Sequence, residues 1–342
     1  MKKIGEKLIS GCLALALAGV FTLAVRPQKV VPAPYPQPPP PTRNVQVLGH
    51  LAPESRDSYE RSIVVSPNVN LTFCVVNADL KVNGWKRSEV RIFVKDGSRF
   101  TFQIREQDPK TAKPVWISAV QADSKHTNRS FPECIWGDDI EIDVPEAATI
   151  KIKGQETTAN VDSVGKADVS VLGGDISLRN VKNGVSAWAG RGDIMVEESQ
   201  GSISLETTTG NIVVLEASPS EIGDYFKAKT SGGNIMLQSL EHRQVDVTSI
   251  TGSIAFTGSV LPGGSYGLAT TKGSIRLALP ASTSCNLFAR YGYGSLTSEF
   301  DMKQLTENIE PGPIKRGNWV IGKGGALIKL TADNGSIYIK KQ

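Results

Sequence analysis

Residues 192–214 carry one phrase three times: Gly192-Asp193-Ile194-Met195-Val196, Gly201-Ser202-Ile203-Ser204-Leu205 and Gly210-Asn211-Ile212-Val213-Val214. The pattern is glycine, then Asp, Asn or Ser, then Ile or Leu. It recurs at Gly174, Gly233, Gly252, Gly273, Gly294 and Gly335, with successive spacings of 18, 9, 9, 23, 19, 21, 21 and 41 residues. Average residue usage would place about one such match by chance. Glycine supplies a backbone conformation closed to other residues, the small polar residue tolerates the turn, and an alternating apolar stretch follows as a short strand. One such unit cannot bury its apolar side alone, whereas stacked units can. The spacing therefore predicts a β-solenoid over 146–342, with about eight to ten rungs of about 20 residues. A conventional β-sandwich with regular glycine turns is the competing architecture. The two gaps at 215–229 and 299–324 are expected to be insertions or irregular coils.

Upstream the composition changes. Of the 33 glycines, 7 precede residue 151 and 26 follow it, so the chain holds two kinds of sequence. Residues 44–145 alternate apolar and polar at Val69–Phe73, Val90–Val94, Phe100–Ile104 and Ile140–Val144, with Pro145 as a stop. Period-two alternation predicts half-buried antiparallel strands, and Asn83-Gly84 predicts a tight turn before Trp85. The fold class is thus all-β: an N-terminal antiparallel β domain leading into a solenoid. Cys74 and Cys134 are candidates for a disulfide, with two buried free thiols as the alternative. Closing a loop of that length would contribute about 4 kcal/mol. Cys285 is left odd and is expected to be a small buried apolar residue.

Before residue 44 the chain carries no globular signal. Lys2, Lys3 and Lys7 precede the uncharged stretch Leu8–Val25, which Arg26 closes. Basic residues ahead of an apolar run predict export, with 1–26 as either a cleaved signal peptide or a retained membrane anchor. Cys12 follows Ile9-Ser10-Gly11 as in a lipoprotein box, but its apolar run lies after the cysteine, so an ordinary membrane-segment cysteine is expected. Residues 27–43 form a proline-rich linker, with eight prolines between Pro27 and Pro41, which favours stiff polyproline II. The predicted location is extracytoplasmic, periplasmic or on the cell surface. The membrane is a partner through residues 8–25 if that segment is retained.

Chemistry is sparse. The net charge of +4, from 38 basic and 34 acidic residues, is spread without long like-charge runs, which disfavours nucleic acid. His50, His126 and His242 are isolated, and neither paired cysteine motifs nor phosphate loops occur, so neither a metal site nor a cofactor is expected. Gly263-Gly264-Ser265-Tyr266-Gly267 matches a nucleophile elbow, but that chemistry needs a strand-turn-helix. Ser163-Val164-Gly165-Lys166 matches a serine-lysine spacing without its supporting motifs. Asp175 and Asp193 would stack along one face as an acid pair or calcium site in a polysaccharide-cleaving β-helix, yet later repeats replace them with Asn or Ser. Arg191-Gly192-Asp193 is an adhesion-receptor tripeptide that the repeat itself explains.

The Leu71–Val94 stretch with Asn83-Gly84-Trp85, the serial Gly-Asp/Ser-Ile units and the closing Gly322-Lys323-Gly324-Gly325-Ala326 resemble the bacterial putative-adhesin β-solenoid family over residues 60–342. The resemblance implies an exported, membrane-anchored domain of unknown function and brings no catalytic residues. The expected function is a non-enzymatic cell-envelope adhesin or scaffold binding an envelope polymer, glycan or protein. The alternative is a polysaccharide-active β-helix enzyme.

Overall fold

The computed structural model describes residues 58–122, 133–309 and 312–342, all within the compact unit Ala52–Gln342. The expected export segment, linker, Cys12, His50 and His126 lie outside the described residues. No helix among the described residues is long and apolar enough to cross a membrane. Among the described residues the fold is all-β, with 26 strands in mostly parallel pairing.

The N-terminal strands are β1 (Tyr59–Val64), β2 (Asn70–Trp85), β3 (Glu89–Lys95), β4 (Phe100–Gln107), β5 (Pro114–Gln121), β6 (Ile135–Trp136), β7 (Asp139–Pro145) and β8 (Thr149–Asp162). The expectation of an antiparallel region holds only for β1–β3, β3–β7 and β4–β5. Strand β2 instead runs parallel to β8 on one side and to β5, β6 and β7 on the other. It is already a rung of the stack, and pairing crosses the composition boundary at 145/146 without a break. Asn83-Gly84 is not a turn, because both residues lie inside β2. Gly84 is needed for close approach: a Cβ there would lie 1.6 Å from the Ser163 carbonyl oxygen.

Strand β8 spans a whole rung by itself, and from β9 onward each rung holds a long strand, a glycine corner and a short strand. The long strands are β9 (Lys166–Gly173), β11 (Val185–Arg191), β13 (Ile203–Thr209), β15 (Tyr225–Gly232), β17 (Gln244–Thr251) and β19 (Ser265–Lys272). The short ones are β10 (Ile176–Arg179), β12 (Ile194–Glu197), β14 (Ile212–Ala217), β16 (Ile235–Leu240), β18 (Ile254–Thr257) and β20 (Ile275–Leu279). Every long strand pairs in parallel with the next long strand, and every short strand with the next short one. Two parallel faces therefore enclose one core. Ile176, Ile194, Ile212, Ile235, Ile254 and Ile275 stack in register and are fully buried, as are Leu178, Val196, Val214, Leu237, Phe256 and Leu277 two residues on.

The chain does not finish in sequence order. After β21 (Cys285–Gly292) and β22 (Leu296–Ser298), an antiparallel pair β23 (Met302–Ile309) and β24 (Ile314–Ile321) forms, followed by β25 (Ala326–Asn334) and β26 (Ile337–Lys341). Strands β25 and β26 insert between the β19–β20 rung and the β21–β22 rung. Strand β24 then covers the outer edge of β21 in antiparallel pairing. The 41-residue gap between Gly294 and Gly335 is thus a capping hairpin and not a missing coil. At the other end β2 lies between the β5–β6–β7 rung and β8, and β3 and β4 cover the outer strands. At each end of the stack antiparallel strands pair with outer parallel strands, β3 with β7 and β4 with β5 at one end and β24 with β21 at the other.

The isoleucine column makes a testable distinction. Ile235→Ala in mid-stack should lower unfolding free energy by about 3–4 kcal/mol. Leu296→Ala in the half-buried terminal rung should cost about 1 kcal/mol or less. Urea denaturation of the two variants measures both.

Candidate binding surface

Eight of the nine sequence motifs form one ladder at the first corner. Gly174, Gly192, Gly210, Gly233, Gly252, Gly273, Gly335 and Gly294 succeed one another up the stack, each with its missing Cβ over the carbonyl of its neighbour. Gly210 shows why no other residue fits. Its φ is 154°, and a Cβ would lie 1.9 Å from the Gly192 oxygen. Gly201 belongs elsewhere: it precedes long strand β13, at the opposite corner. The apparent nine-residue spacing arises from that one motif.

The second motif residue forms a ladder of its own. Asp175 Oδ1 accepts the Asp193 amide at 2.8 Å, and Asp193 Oδ1 accepts the Asn211 amide at 2.7 Å. Asn211 Oδ1 accepts from Asn234 N at 2.9 Å, and Asn234 Oδ1 from Ser253 N at 2.8 Å. Asp175 and Asp193 do lie on adjacent rungs, but each is an acceptor for backbone. Arg191 pairs with Glu156 at 3.0 Å, so the Arg-Gly-Asp tripeptide is tied into the corner at both ends. Ser163 Oγ donates to Asp162 and accepts from Asn180. Ser265 opens strand β19, with no helix after it, and Tyr266 is buried with its hydroxyl accepting the Leu261 amide at 2.8 Å. Among the described residues no group of three or more His, Cys, Asp or Glu is placed to hold a metal ion.

Sequence reasoning missed an inner ladder. Thr207, Thr230, Ser249 and Thr270, each three residues before a corner glycine, are buried and donate to the glycine carbonyl one rung back at 2.8–3.0 Å. The readable signal was a hydroxyl residue at a fixed offset from the motif. Cys74 and Cys134 are joined by a disulfide that ties β2 to the segment entering β6, whereas Cys285 is free and buried, its thiol pushed up to about 11 by desolvation.

On the outer long-strand face, Trp188 stands in register with Ser170 and Glu206. Its indole lies over Gly190, where a Cβ would be 3.3 Å from the ring edge. Leu172 beside it is 47% exposed, and Glu206 is held by Lys229 at 2.9 Å. A half-exposed indole among hydroxyl and charged side chains can stack on the apolar face of a sugar ring or another planar group, with polar groups in reach around it.

The second corner is irregular. Connections 218–224 and 258–264 are long, while 241–243 between them is short, which leaves a cleft of ≈ 830 Å³. Gln238, Ser239, Glu241, Arg243, Thr257 and Leu261 line it. Asn180, Glu198, Glu216 and Ser239 turn this corner with φ of 47–56°, a left-handed conformation that glycine adopts more readily. Asp224 anchors the 218–224 loop. The hydroxyl of Ser202 at 2.7 Å, the amide of Glu221 and both donors of Ser220 hold its carboxyl down at about 2. His242 is fully buried beneath, its ring nitrogen donating to the Gly201 carbonyl at 2.7 Å, and desolvation holds its pKa below the usual value.

No protein-family model and no curated protein matches the chain. Two solved structures are similar. One is a putative cell adhesion protein from Clostridium sporogenes ATCC 15579, 14% identical, with 84% of this chain and 100% of that chain covered and a TM-score of 0.18. The other is a putative adhesin from Parabacteroides merdae ATCC 43184, 11% identical, with 82% and 95% covered and a TM-score of 0.41. Likeness at this level leaves function to be read from the chain's own residues.

Two measurements test the second corner. Asp224 has a folded pKa below its unfolded value, so its contribution is full above about pH 4 and is lost as pH falls toward 2. Asp224→Asn should therefore flatten the acid limb of a stability–pH curve in that window. Glu216→Gly should raise stability by about 1 kcal/mol by relieving the left-handed backbone, read as a higher Tm.

Proposed function

We propose that this chain is a non-enzymatic exported cell-envelope protein, an adhesin or scaffold that presents the outer long-strand face to an envelope polymer, glycan or protein. The observation that carries the reading is the corner ladder. The only stacked acids of the repeat are backbone acceptors, so the repetition builds a rigid surface and not an acid pair. Trp188 over Gly190 supplies a stacking platform on that surface. The Cys74–Cys134 disulfide supports an oxidising, extracytoplasmic compartment, and attachment through residues 8–25 belongs to the same reading.

The test is binding of the purified protein to peptidoglycan and to a panel of immobilised glycans, with reducing-end release measured in parallel. Saturable binding that Trp188→Ala weakens about tenfold or more, the loss of one stacking contact, is the expected result, without release of sugar. Sugar release abolished by Asp193→Asn would replace this reading with a polysaccharide-active β-helix enzyme.

A further inference from the structure

The short-strand face has a different character. Two outward columns run along it in register from β8 to β26. In the first, Met195, Val213, Met236 and Ala255 follow one another on successive rungs, with Leu215 beside them in the second. Met195 is 37% and Met236 46% exposed. This is a continuous apolar strip along the short-strand face, and scattered surface apolar residues do not form such strips. The ends of the face are charged. Asp162 and Arg179 lie on the β8 and β10 rungs, Arg276 and Lys340 on the β20 and β26 rungs. Asp162 and Arg179 pair with each other at 3.1 Å, and Arg276 lies 5.7 Å from the Tyr338 ring centre.

We propose that this face docks a second copy of the chain, with the two stacks antiparallel. A two-fold axis along the strand direction, between β14 and β16, sets rung against rung in reverse order. Val213 then meets the other copy's Met236, and Met195 meets its Ala255. Asp162, which also pairs with Arg179 of its own chain, meets Lys340 of the other copy, Arg179 meets Ala278, and no like charges stand directly opposite. With the stacks parallel, each rung would face its own equivalent with the columns exchanged. Met195 would then lie against Glu197, burying a carboxylate on thioether.

The cleft fits the same arrangement. Gln238 and Thr257 lie along its edge, and in the antiparallel pair they face Leu215 and Glu197. The acidic second corner of the other copy, exposed at Glu198 and Glu216, comes to the cleft that contains Arg243. Arg243 forms no ion pair among the described residues; Glu241 lines the cleft with it, and Glu221 and Asp224 line the adjoining pocket that Arg243 also borders. Arg243 is the one cation of the cleft lining that Glu198 and Glu216 of the other copy would meet.

The area is sufficient but small. Eight rungs at about 4.8 Å span about 38 Å. Two columns form a strip about 14 Å wide, so about 1,000 Å² is buried in total, the lower bound of a specific interface. A reversible dimer with micromolar Kd is the expected strength. Two copies joined on their short-strand faces direct their long-strand faces outward on opposite sides, so one particle carries two Trp188 platforms.

The test uses the intact chain, purified in mild detergent. Sedimentation velocity from 1 to about 100 µM should show a monomer–dimer equilibrium. Met236→Glu should weaken it at least tenfold with an unchanged circular dichroism spectrum. Lys153→Glu, on the opposite face, should leave it intact. Asp162→Lys and Lys340→Asp should each weaken the dimer, and the double variant should restore it. Orientation is read by cross-linking two differently tagged copies. Asp162→Cys should couple to Lys340→Cys and not to a second Asp162→Cys. A protein that stays monomeric throughout, a dimer indifferent to Met236→Glu, or coupling between identical positions would each overturn the proposal. The first of these would leave the strip to a different partner.

Discussion

Everything in this protein depends on how closely one rung can approach the next at the first corner. The strand spacing of a parallel sheet is set by backbone hydrogen bonding at about 4.8 Å. At a corner the chain must turn without losing that spacing, and the glycine carbonyl of one rung occupies the space a Cβ of the next would need. The missing side chain at Gly210 is therefore a packing requirement of its neighbour Gly192, not only a local turn preference. Once the corner closes, Ile212 is delivered to the core directly above Ile194, and the polar residue between them is left to accept the amide of the following rung. Core, corner and hydrogen-bond ladder are consequences of one repeat distance.

That constraint also governs what the surface can do chemically. An aspartate at the second motif position is drawn to the nearest unpaired donor, the amide one rung away. Asn and Ser serve the same purpose, which explains why the three residue types alternate freely in the sequence. The parts free to bind lie where the repeat is silent: the outward columns of the two faces, and the second corner, where connection lengths vary. On the long-strand face the outward columns mix polar side chains with Trp188 and the exposed Leu172, Ile250 and Leu327, and on the short-strand face one column is apolar at the centre while charges stand toward the ends. The two faces differ because inward residues are dictated by the stack and outward ones are not.

Much of the fold was legible in residues 146–342, since glycine, small polar residue and isoleucine each answer a separate physical demand and together leave few alternatives to stacking. Legibility failed where a residue type has two uses. Gly201 carries the motif but sits at the opposite corner. Asn83-Gly84 has the composition of a hairpin turn, yet Gly84 is there for close approach inside β2. Glu198 and Glu216 take a left-handed conformation that no sequence rule assigns to glutamate, and parallel pairing converts an alternating strand such as β2 from an antiparallel candidate into a rung. Of the candidate binding surface, only the uneven spacing of 23, 19 and 21 residues between Gly210 and Gly273 hinted at the cleft. Trp188 gave no signal at all, because its platform depends on Gly190 beneath the ring and Leu172 in the neighbouring strand.

By itself the sequence determined the all-β class, the rung, the corner chemistry and the identity of the stacked core. All of these are local properties repeated at a near-constant period. Only the tertiary structure decided the order of the rungs at the two ends, where β25 and β26 insert ahead of β21 and β22, and β2 inserts behind β8. Parallel rungs share one pattern and one register, so a strand's sequence fits any gap of the stack equally well. Which gap it fills is settled by the antiparallel strands that pair at the two ends, and those contacts join residues far apart in the chain.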